Sequence, residues 1–127
     1  MTPSDRRYTK THEWVRLDGE ELVIGITDHA QQQLGDLTYV DLPEPDSRVK
    51  AGEECIVVES VKAASDVYAP ITGVITAVND TLLQHPEIIN QDPYDQGWII
   101  RVRPDDPDAL GRLLKSCDYE SLISDEE

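Results

Sequence analysis

The amino-acid sequence predicts a mainly β protein, a sandwich or a barrel, with a short internal helix and a C-terminal helical segment. Short β-branched runs recur along the chain and are separated by Pro, Gly and Asp turn signals. Hydrophobic residues make up 39% of the 127 residues, enough for a real core in a chain of this length. Because no linker or internal repeat interrupts the pattern, we expect one domain over residues 1–127.

A hairpin and a further strand are predicted in the first third of the chain. Residues 12–26 form two apolar-rich runs that meet near Asp18-Gly19. Asp-Gly tolerates the positive φ angles of a tight turn, so this dipeptide predicts a β hairpin. Residues 37–42 alternate like a half-buried strand, and the prolines that follow end it.

A short helix is predicted over residues 28–34, between the hairpin and that strand. Asp28 followed three residues later by Gln31 fits a capping box. Gly35 then provides the residue that helices favour just after their last turn.

The rest of the chain predicts further strands and then a change of character. Residues 49–60 and 65–78 are strand-like, and the second run is broken by Pro and Gly. Residues 84–97 are rich in Pro and Asp and predict a loop, and a strand follows over 98–104. The apolar residues of the tail, about 105–124, have helical spacing.

The formal net charge is −15, from 26 acidic and 11 basic side chains. Such a charge repels phosphate backbones and anionic lipids, which makes nucleic acids and membranes poor partners. It suits docking to basic surfaces of other proteins, or it only keeps the protein soluble and monomeric. Both interpretations remain open.

The sequence gives no sign of a metal site, and it favours a reducing compartment. Cys55 and Cys117 form no CxxC pair, and the three histidines lack metal-ligand spacing. Cys55 lies within an apolar run and is expected to be a buried small hydrophobic residue. Without a targeting or membrane-spanning segment, we expect a cytoplasmic protein.

Lys62 is the residue with the clearest chemical potential. Two β-rich arms flank it, and the small residues Ala63 and Ala64 follow it. If the arms pair, Lys62 projects from the tip of a hairpin, where a modifying enzyme can reach its amine. A lysine in water has a pKa near about 10.4 and needs an enzyme to make it nucleophilic. An ordinary solvated lysine in a turn would show the same local pattern.

The segment around Lys62 resembles the lipoyl-attachment hairpin of glycine cleavage H proteins, here about residues 55–70. The resemblance covers nearly the whole chain, and its blocks occur in the order of that family. It implies a hammerhead-like lipoyl/biotinyl-type β sandwich, a barrel-sandwich hybrid, with lipoate covalently attached to Lys62. The other similar blocks are YTKTHEW at 8–14, GITDHAQQQLGD at 25–36, VDLPE at 40–44 and NQDPYDQGWI at 90–99.

Two families with related β folds fit less well. Biotin carriers usually flank their lysine with Met, whereas Lys62 lies between Val61 and Ala63. Lipoyl domains of 2-oxoacid dehydrogenases typically have Asp before the lysine and belong to longer multidomain chains. The blocks before residue 45 and after residue 90 are specific to the H-protein pattern.

The resemblance also implies a surface cleft into which the loaded arm folds. Glu13 and Asp66, with the Thr11 hydroxyl beside them, match positions associated with that cleft, where a carboxylate would favour a cationic amine. The alternative is that both acids are solvated surface charges. Ile26, Ala30 and Leu34 would form the apolar wall, or would only pack the helix on the sheet.

The function implied by the resemblance is that of a carrier, not an enzyme. The sequence shows no nucleophile–base pair, phosphate loop or metal cluster. In the family, a pyridoxal-phosphate glycine decarboxylase loads an aminomethyl group onto the lipoyl arm. A tetrahydrofolate-dependent aminomethyltransferase unloads it, and an FAD dihydrolipoyl dehydrogenase reoxidises the arm.

Attachment of the arm implies one further partner, a lipoate ligase or a lipoyl/octanoyl transferase. A second function class uses the same lysine: a lipoyl donor that relays the cofactor to 2-oxoacid dehydrogenases. Glycine-dependent CO₂ release separates the two, because a relay needs no decarboxylase.

Overall fold

The computed structural model describes residues 2–126, with the backbone alone for the last two of these, and this part of the chain contains two antiparallel sheets. The larger sheet has the strand order β1-β2-β3-β9-β8-β5, and the smaller has the order β4-β6-β7. The fold class predicted from the sequence, a mainly β barrel-sandwich with helices, is confirmed. The strands are β1 (Arg7–Tyr8), β2 (Glu13–Asp18), β3 (Glu21–Ile26), β4 (Leu37–Asp41), β5 (Arg48–Val49), β6 (Glu54–Ser60), β7 (Ala64–Tyr68), β8 (Gly73–Val78) and β9 (Ile100–Pro104).

Four α-helical segments and one 3₁₀ turn accompany the sheets in the described residues. The first helix connects the two sheets, and the last follows the larger sheet at the C-terminus. None of the helices is long and apolar enough to cross a bilayer. They are α1 (Asp28–Leu34), α2 (Thr81–Gln84), α3 (Ile88–Gln91) and α4 (Ser116–Glu126), and the 3₁₀ turn is Ala109–Arg112.

The main core lies between the two sheets and arises from strand alternation. Every second side chain of β2 and β3 points to the same face, so Val15 and Ile24 pack toward the smaller sheet. From the smaller sheet, β4 and β6 contribute Val40 and Val58, which are fully buried. This arrangement confirms the hairpin predicted over 12–26 and the half-buried strand predicted over 37–42, whereas β3 is buried on both faces.

A second cluster covers the opposite face of the larger sheet. Trp14 and Val23, the alternating neighbours of Val15 and Ile24, pack there with Tyr8 and with Tyr119 of α4. The Tyr8 and Tyr119 rings stack with centroids 4.9 Å apart. The C-terminal helix is therefore attached to the sheet through an aromatic contact.

The helix over 28–34 has the predicted bounds but a different cap. Thr27, not Asp28, is the N-cap, because its hydroxyl accepts a hydrogen bond from the Ala30 amide at 3.2 Å. Asp28 instead accepts from the side-chain amide of Gln31. Gly35 ends the helix as predicted, with φ +81°.

Three other predictions need correction. The strand-like run over 49–60 is interrupted at 50–53, and its two parts, β5 and β6, lie in different sheets. The loop predicted over 84–97 contains the helical turn α3, which buries Ile89 in the main core. The tail over 105–124 is not one helical segment, because Leu114 is extended and exchanges two backbone hydrogen bonds with Tyr8, at 2.8 and 2.9 Å. That pairing separates the 3₁₀ turn from α4.

Candidate functional site

The β6–β7 hairpin presents Lys62 at its tip. Glu59 pairs with Ala64, which leaves Ser60 and the next three residues to make the turn. The Ser60 hydroxyl accepts hydrogen bonds from the backbone amides of Lys62 and Ala63, both at 3.2 Å. The Lys62 side chain is exposed, and Val61 beside it is 70% exposed. The position predicted for Lys62 at a hairpin tip is thus what the structure has.

The hairpin tip rests on the C-terminal end of α1. The Val61 amide donates a hydrogen bond to the Asp36 carbonyl at 3.2 Å. A Cβ added to Gly35 would lie 3.4 Å from Lys62 Cε and 3.7 Å from its Nζ. The lysine stem therefore lies against bare backbone, next to Leu34 of the same helix end.

Leu34 is also one wall of a cleft of about 140 Å³ between α1, β2 and the smaller sheet. All six cleft residues expected from the resemblance border it, and it includes others that the sequence did not indicate. Of these, Ser65 could have been found from the alternation of β7. The expected members are Thr11, Glu13, Ile26, Ala30, Leu34 and Asp66, and the further ones are His12, Gln33, Val58, Ser65 and Val67.

Glu13 lies at the polar end of the cleft and is only 2% exposed. Its Oε1 accepts hydrogen bonds from the hydroxyls of Thr9 and Thr11, at 2.6 and 2.5 Å. Its Oε2 accepts from the Tyr68 amide at 3.4 Å. Burial raises the pKa of the Glu13 carboxyl, and these hydrogen bonds oppose the rise. Glu13 is therefore not a solvated surface charge.

Asp66 is placed differently. It pairs with Val57, whereas Ser65 pairs with Val58 on the buried side of β6. Because successive side chains of a strand point to opposite faces, Ser65 shares the cleft face and the Asp66 carboxylate points outward. Asp66 is exposed, and it also borders a cavity on the outer face together with Asp41.

The cleft residues fit an aliphatic arm attached at Lys62. Ile26 is a buried core residue, and Ala30 and Leu34 are half-buried against the same core, so they form an apolar wall while also packing the helix. Opposite this wall the cleft is bordered by the polar residues Thr11, Glu13 and Ser65. An arm entering beside Leu34 would meet apolar side chains first and a carboxylate at its end.

Comparison with known proteins agrees with this geometry. The family model described as glycine cleavage H-protein matches residues 6–126. The chain belongs to the glycine cleavage H-protein family. It is 51% identical over 123 residues to the glycine cleavage system H protein of Legionella pneumophila (strain Corby), covering 97% of this chain and 98% of that protein.

Further relatives give the same picture. The H protein of Alkalilimnicola ehrlichii is 52% identical over 128 residues, covering all of this chain and 98% of that one. Among solved structures, the crystal structure of a glycine cleavage system H protein from Mycobacterium marinum is similar, with a TM-score of 0.89 and 40% identity. That match covers 97% of this chain and 99% of the other.

In this member of the H-protein family, His12 links the cleft to the C-terminal helix. It lies between Thr11 and Glu13 with a left-handed backbone, φ 73°. Its Nδ1 is 2.7 Å from the Tyr119 hydroxyl, which is also 2.7 Å from the Thr27 hydroxyl. No local pattern could have indicated this contact, because Tyr119 is more than a hundred residues away along the chain.

Other cavities of the described structure are larger than this cleft. One, of about 320 Å³, lies on the other side of Glu13 and is bordered by Thr9, Gly52 and Pro70. A wider one, of about 410 Å³, lies between Asp28 of α1 and Glu120 of α4. Size alone does not distinguish these cavities by position, because the widest one does not border the hairpin that carries Lys62.

Proposed function

We propose that this chain is the lipoyl-bearing carrier of a glycine cleavage system, with lipoate joined by an amide bond to Nζ of Lys62. The observation that carries the proposal is the exposed Lys62 at the tip of a hairpin whose strands line a cleft that also contains the buried Glu13. Family membership over residues 6–126 supports the same role.

The residues around Lys62 suit a carrier with a moving arm. The Ser60 and Asp36 contacts hold the backbone of the tip, while the lysine side chain itself is exposed. When attached, the lipoyl group supplies a disulfide that can take up a one-carbon unit and be reoxidised afterwards. The chain holds that group out for a partner or against the cleft, and the partners supply the catalysis.

Glu13 would bind the cationic end of a loaded arm. In the described part of the chain no cationic side chain pairs with its carboxylate, which is hydrogen-bonded only by neutral donors. A cation that reached it would gain a charge-assisted hydrogen bond in a poorly solvated place. The apolar wall would limit access of water to the same end.

The proposed partners follow from this role. A pyridoxal-phosphate glycine decarboxylase, a tetrahydrofolate-dependent aminomethyltransferase and an FAD dihydrolipoyl dehydrogenase would use the arm in turn. A lipoate ligase or a lipoyl/octanoyl transferase would attach it. The exposed acids near Lys62, among them Asp36 and Glu59, favour partners with basic surfaces.

The attachment site is tested by Lys62→Arg, which keeps the charge but cannot be acylated. We expect a folded protein with no lipoate by intact mass and no support of glycine-dependent CO₂ release. Lys50→Arg, at another exposed lysine, is the matched control and should behave like wild type. Lipoate mapped to Lys10, Lys50 or Lys115 in active protein would refute the assignment, and lipoylation without glycine-dependent CO₂ release would indicate a lipoyl relay.

The role of Glu13 is tested by Glu13→Ala in carrier loaded from isotopically labelled glycine. One charge-assisted hydrogen bond contributes about 1.5–3 kcal/mol, so we expect the label to be lost roughly ten times faster than from wild type without the transferase. Glu59→Ala removes an exposed carboxylate near the same lysine and should leave the rate unchanged. Equal rates for wild type and Glu13→Ala would show that Glu13 protects nothing.

A further inference from the structure

The side chain of Asn90, in α3, forms three hydrogen bonds at the C-terminal end of α1. Its Nδ2 donates hydrogen bonds to Gln31 Oε1 and to the Gly35 carbonyl, both at 2.9 Å. Its Oδ1 accepts from the Leu37 amide, also at 2.9 Å. A side-chain amide has two N–H donors and one carbonyl acceptor, and here all three are used.

The segment held in this way, Gly35 to Leu37, supports the hairpin tip. Gly35 is the backbone against which the Lys62 stem lies. Asp36 accepts the hydrogen bond of the Val61 amide, directly before the lysine. Leu37 pairs with Ser60, the residue that makes the turn. Each residue of the segment thus contacts the tip at a different point.

Only part of this support comes from α1 itself, whose Gln31 carbonyl accepts a hydrogen bond from the Gly35 amide at 3.0 Å. The helix has only seven residues, and it ends at Gly35, whose positive φ of +81° glycine adopts without a steric penalty. Without Asn90, the Gly35 carbonyl and the Leu37 amide would lose the partners that orient them, and the segment would be free to shift. Asn90, which belongs to α3, therefore fixes the position of the Gly35–Leu37 segment.

We propose that Asn90 is a positioning residue that sets how Lys62 is presented to the enzyme that attaches lipoate. The inference rests on the proposed function and adds a residue of the NQDPYDQGWI block to it. In this proposal Asn90 fixes the Gly35–Leu37 segment, and that segment in turn fixes Val61 and Lys62. Because displacing a reacting group by about 1 Å can cost up to roughly a hundredfold in rate, a loosened tip should slow acylation.

The test compares Asn90→Ala with Asn79→Ala. Asn79 donates two side-chain hydrogen bonds to loop carbonyls, Gln96 O at 3.0 Å and Trp98 O at 2.8 Å, which lie outside the Gly35–Leu37 segment. Both variants lose the hydrogen bonds of a side-chain amide, so both should lose some stability. Only Asn90→Ala should change the tip.

The measurements are acylation of unmodified carrier by a lipoate ligase with lipoate and ATP, followed by intact mass, and amide hydrogen exchange at Val61. For Asn90→Ala we expect about a tenfold lower kcat/KM, mainly in kcat, and faster exchange at Val61. Asn79→Ala should match wild type in both. If Asn90→Ala does not fold, Asn90→Asp, which keeps the acceptor for Leu37 but loses both donors, should show the same defects.

Asn90 has no positioning role if its folded variants are acylated at the wild-type rate, or if Asn79→Ala is slowed equally. Failure of the proposed function looks different, because wild type itself would then not be acylated at Lys62 in the same assay.

Discussion

Glu13 is a charged side chain in the interior of the protein. Burying a carboxylate is costly unless donors replace the lost water, and here two threonine hydroxyls and one backbone amide do so. A buried acid with a raised pKa beside a cleft is a frequent mark of a functional site. The burial of Glu13 therefore lowers the stability of the folded state, and in the proposed function this carboxylate would bind the cationic end of the arm.

We predict that Glu13→Gln gains stability relative to wild type as the pH rises. The folded pKa of Glu13 is raised above its ordinary value of 4.5, so its contribution to stability is greatest at low pH. That contribution is lost as the pH rises from near this value through the folded pKa. Urea unfolding at pH 4 and pH 7 should show a larger variant-minus-wild-type difference at pH 7.

Glu21→Gln is the control of opposite sign. The hydrogen bond from Arg101 is the main cause that lowers the pKa of Glu21, so its contribution is present at neutral pH and is lost on acidification. The loss of unfolding free energy caused by Glu21→Gln, relative to wild type, should therefore be larger at pH 7 than at pH 4. A Glu13→Gln difference that does not vary with pH would contradict the proposed desolvation of Glu13.

At the scale of elements, the β2–β3 hairpin serves both cores and the site. Along β2, Glu13 and Val15 face the smaller sheet, while Trp14 between them faces α4. Trp14 is opposite Gly25 in the β3 register. A Cβ at Gly25 would lie 2.7 Å from two atoms of the Trp14 ring, so the glycine makes room for the indole.

We therefore predict that Gly25→Ala destabilises the fold by about 1–3 kcal/mol, the usual cost of overpacking a core. Thermal or urea unfolding with tryptophan fluorescence measures it. Gly111→Ala is the matched control, since a Cβ there meets nothing within 4 Å, and its stability should stay near that of wild type. Equal stability of Gly25→Ala and wild type would show that Trp14 moves aside freely.

At the scale of the whole molecule, the net charge of −15 acts on partners at a distance. Exposed acids surround the hairpin tip, so a basic partner would be attracted toward Lys62 before contact. Salt screens such attraction beyond about 8 Å at physiological ionic strength.

We predict that the apparent KM of the glycine decarboxylase for the lipoylated carrier rises as salt is added. Free lipoamide, which is uncharged, serves as the control acceptor, and its KM should change little. The measurement is initial rates of glycine-dependent CO₂ exchange from low to high NaCl. A carrier KM that stays flat while the enzyme remains active would remove the electrostatic part of docking.

Local patterns were sufficient for much of the secondary structure. The period-2 alternation and Asp18-Gly19 predicted the β2–β3 hairpin, and Gly35 predicted the end of α1. The same kind of signal placed Lys62 at a turn between two strands. The cleft residues, by contrast, came from the resemblance to a family, since no periodicity links positions 11–13 with 26–34 and 66.

The tertiary structure decided the properties that depend on distant partners. The chain pattern could not tell that Glu13 is buried while Asp66 is exposed, or that Thr27 rather than Asp28 caps α1. It also did not predict α3, and therefore did not predict the hydrogen bonds of Asn90 to the end of α1. Alternation and turn residues act between neighbours in the chain, so the sequence alone determined most of the longer strands, the first helix and the exposed lysine. Burial, hydrogen-bond partners and the cleft arise only when separate elements pack together, and these were set by the fold.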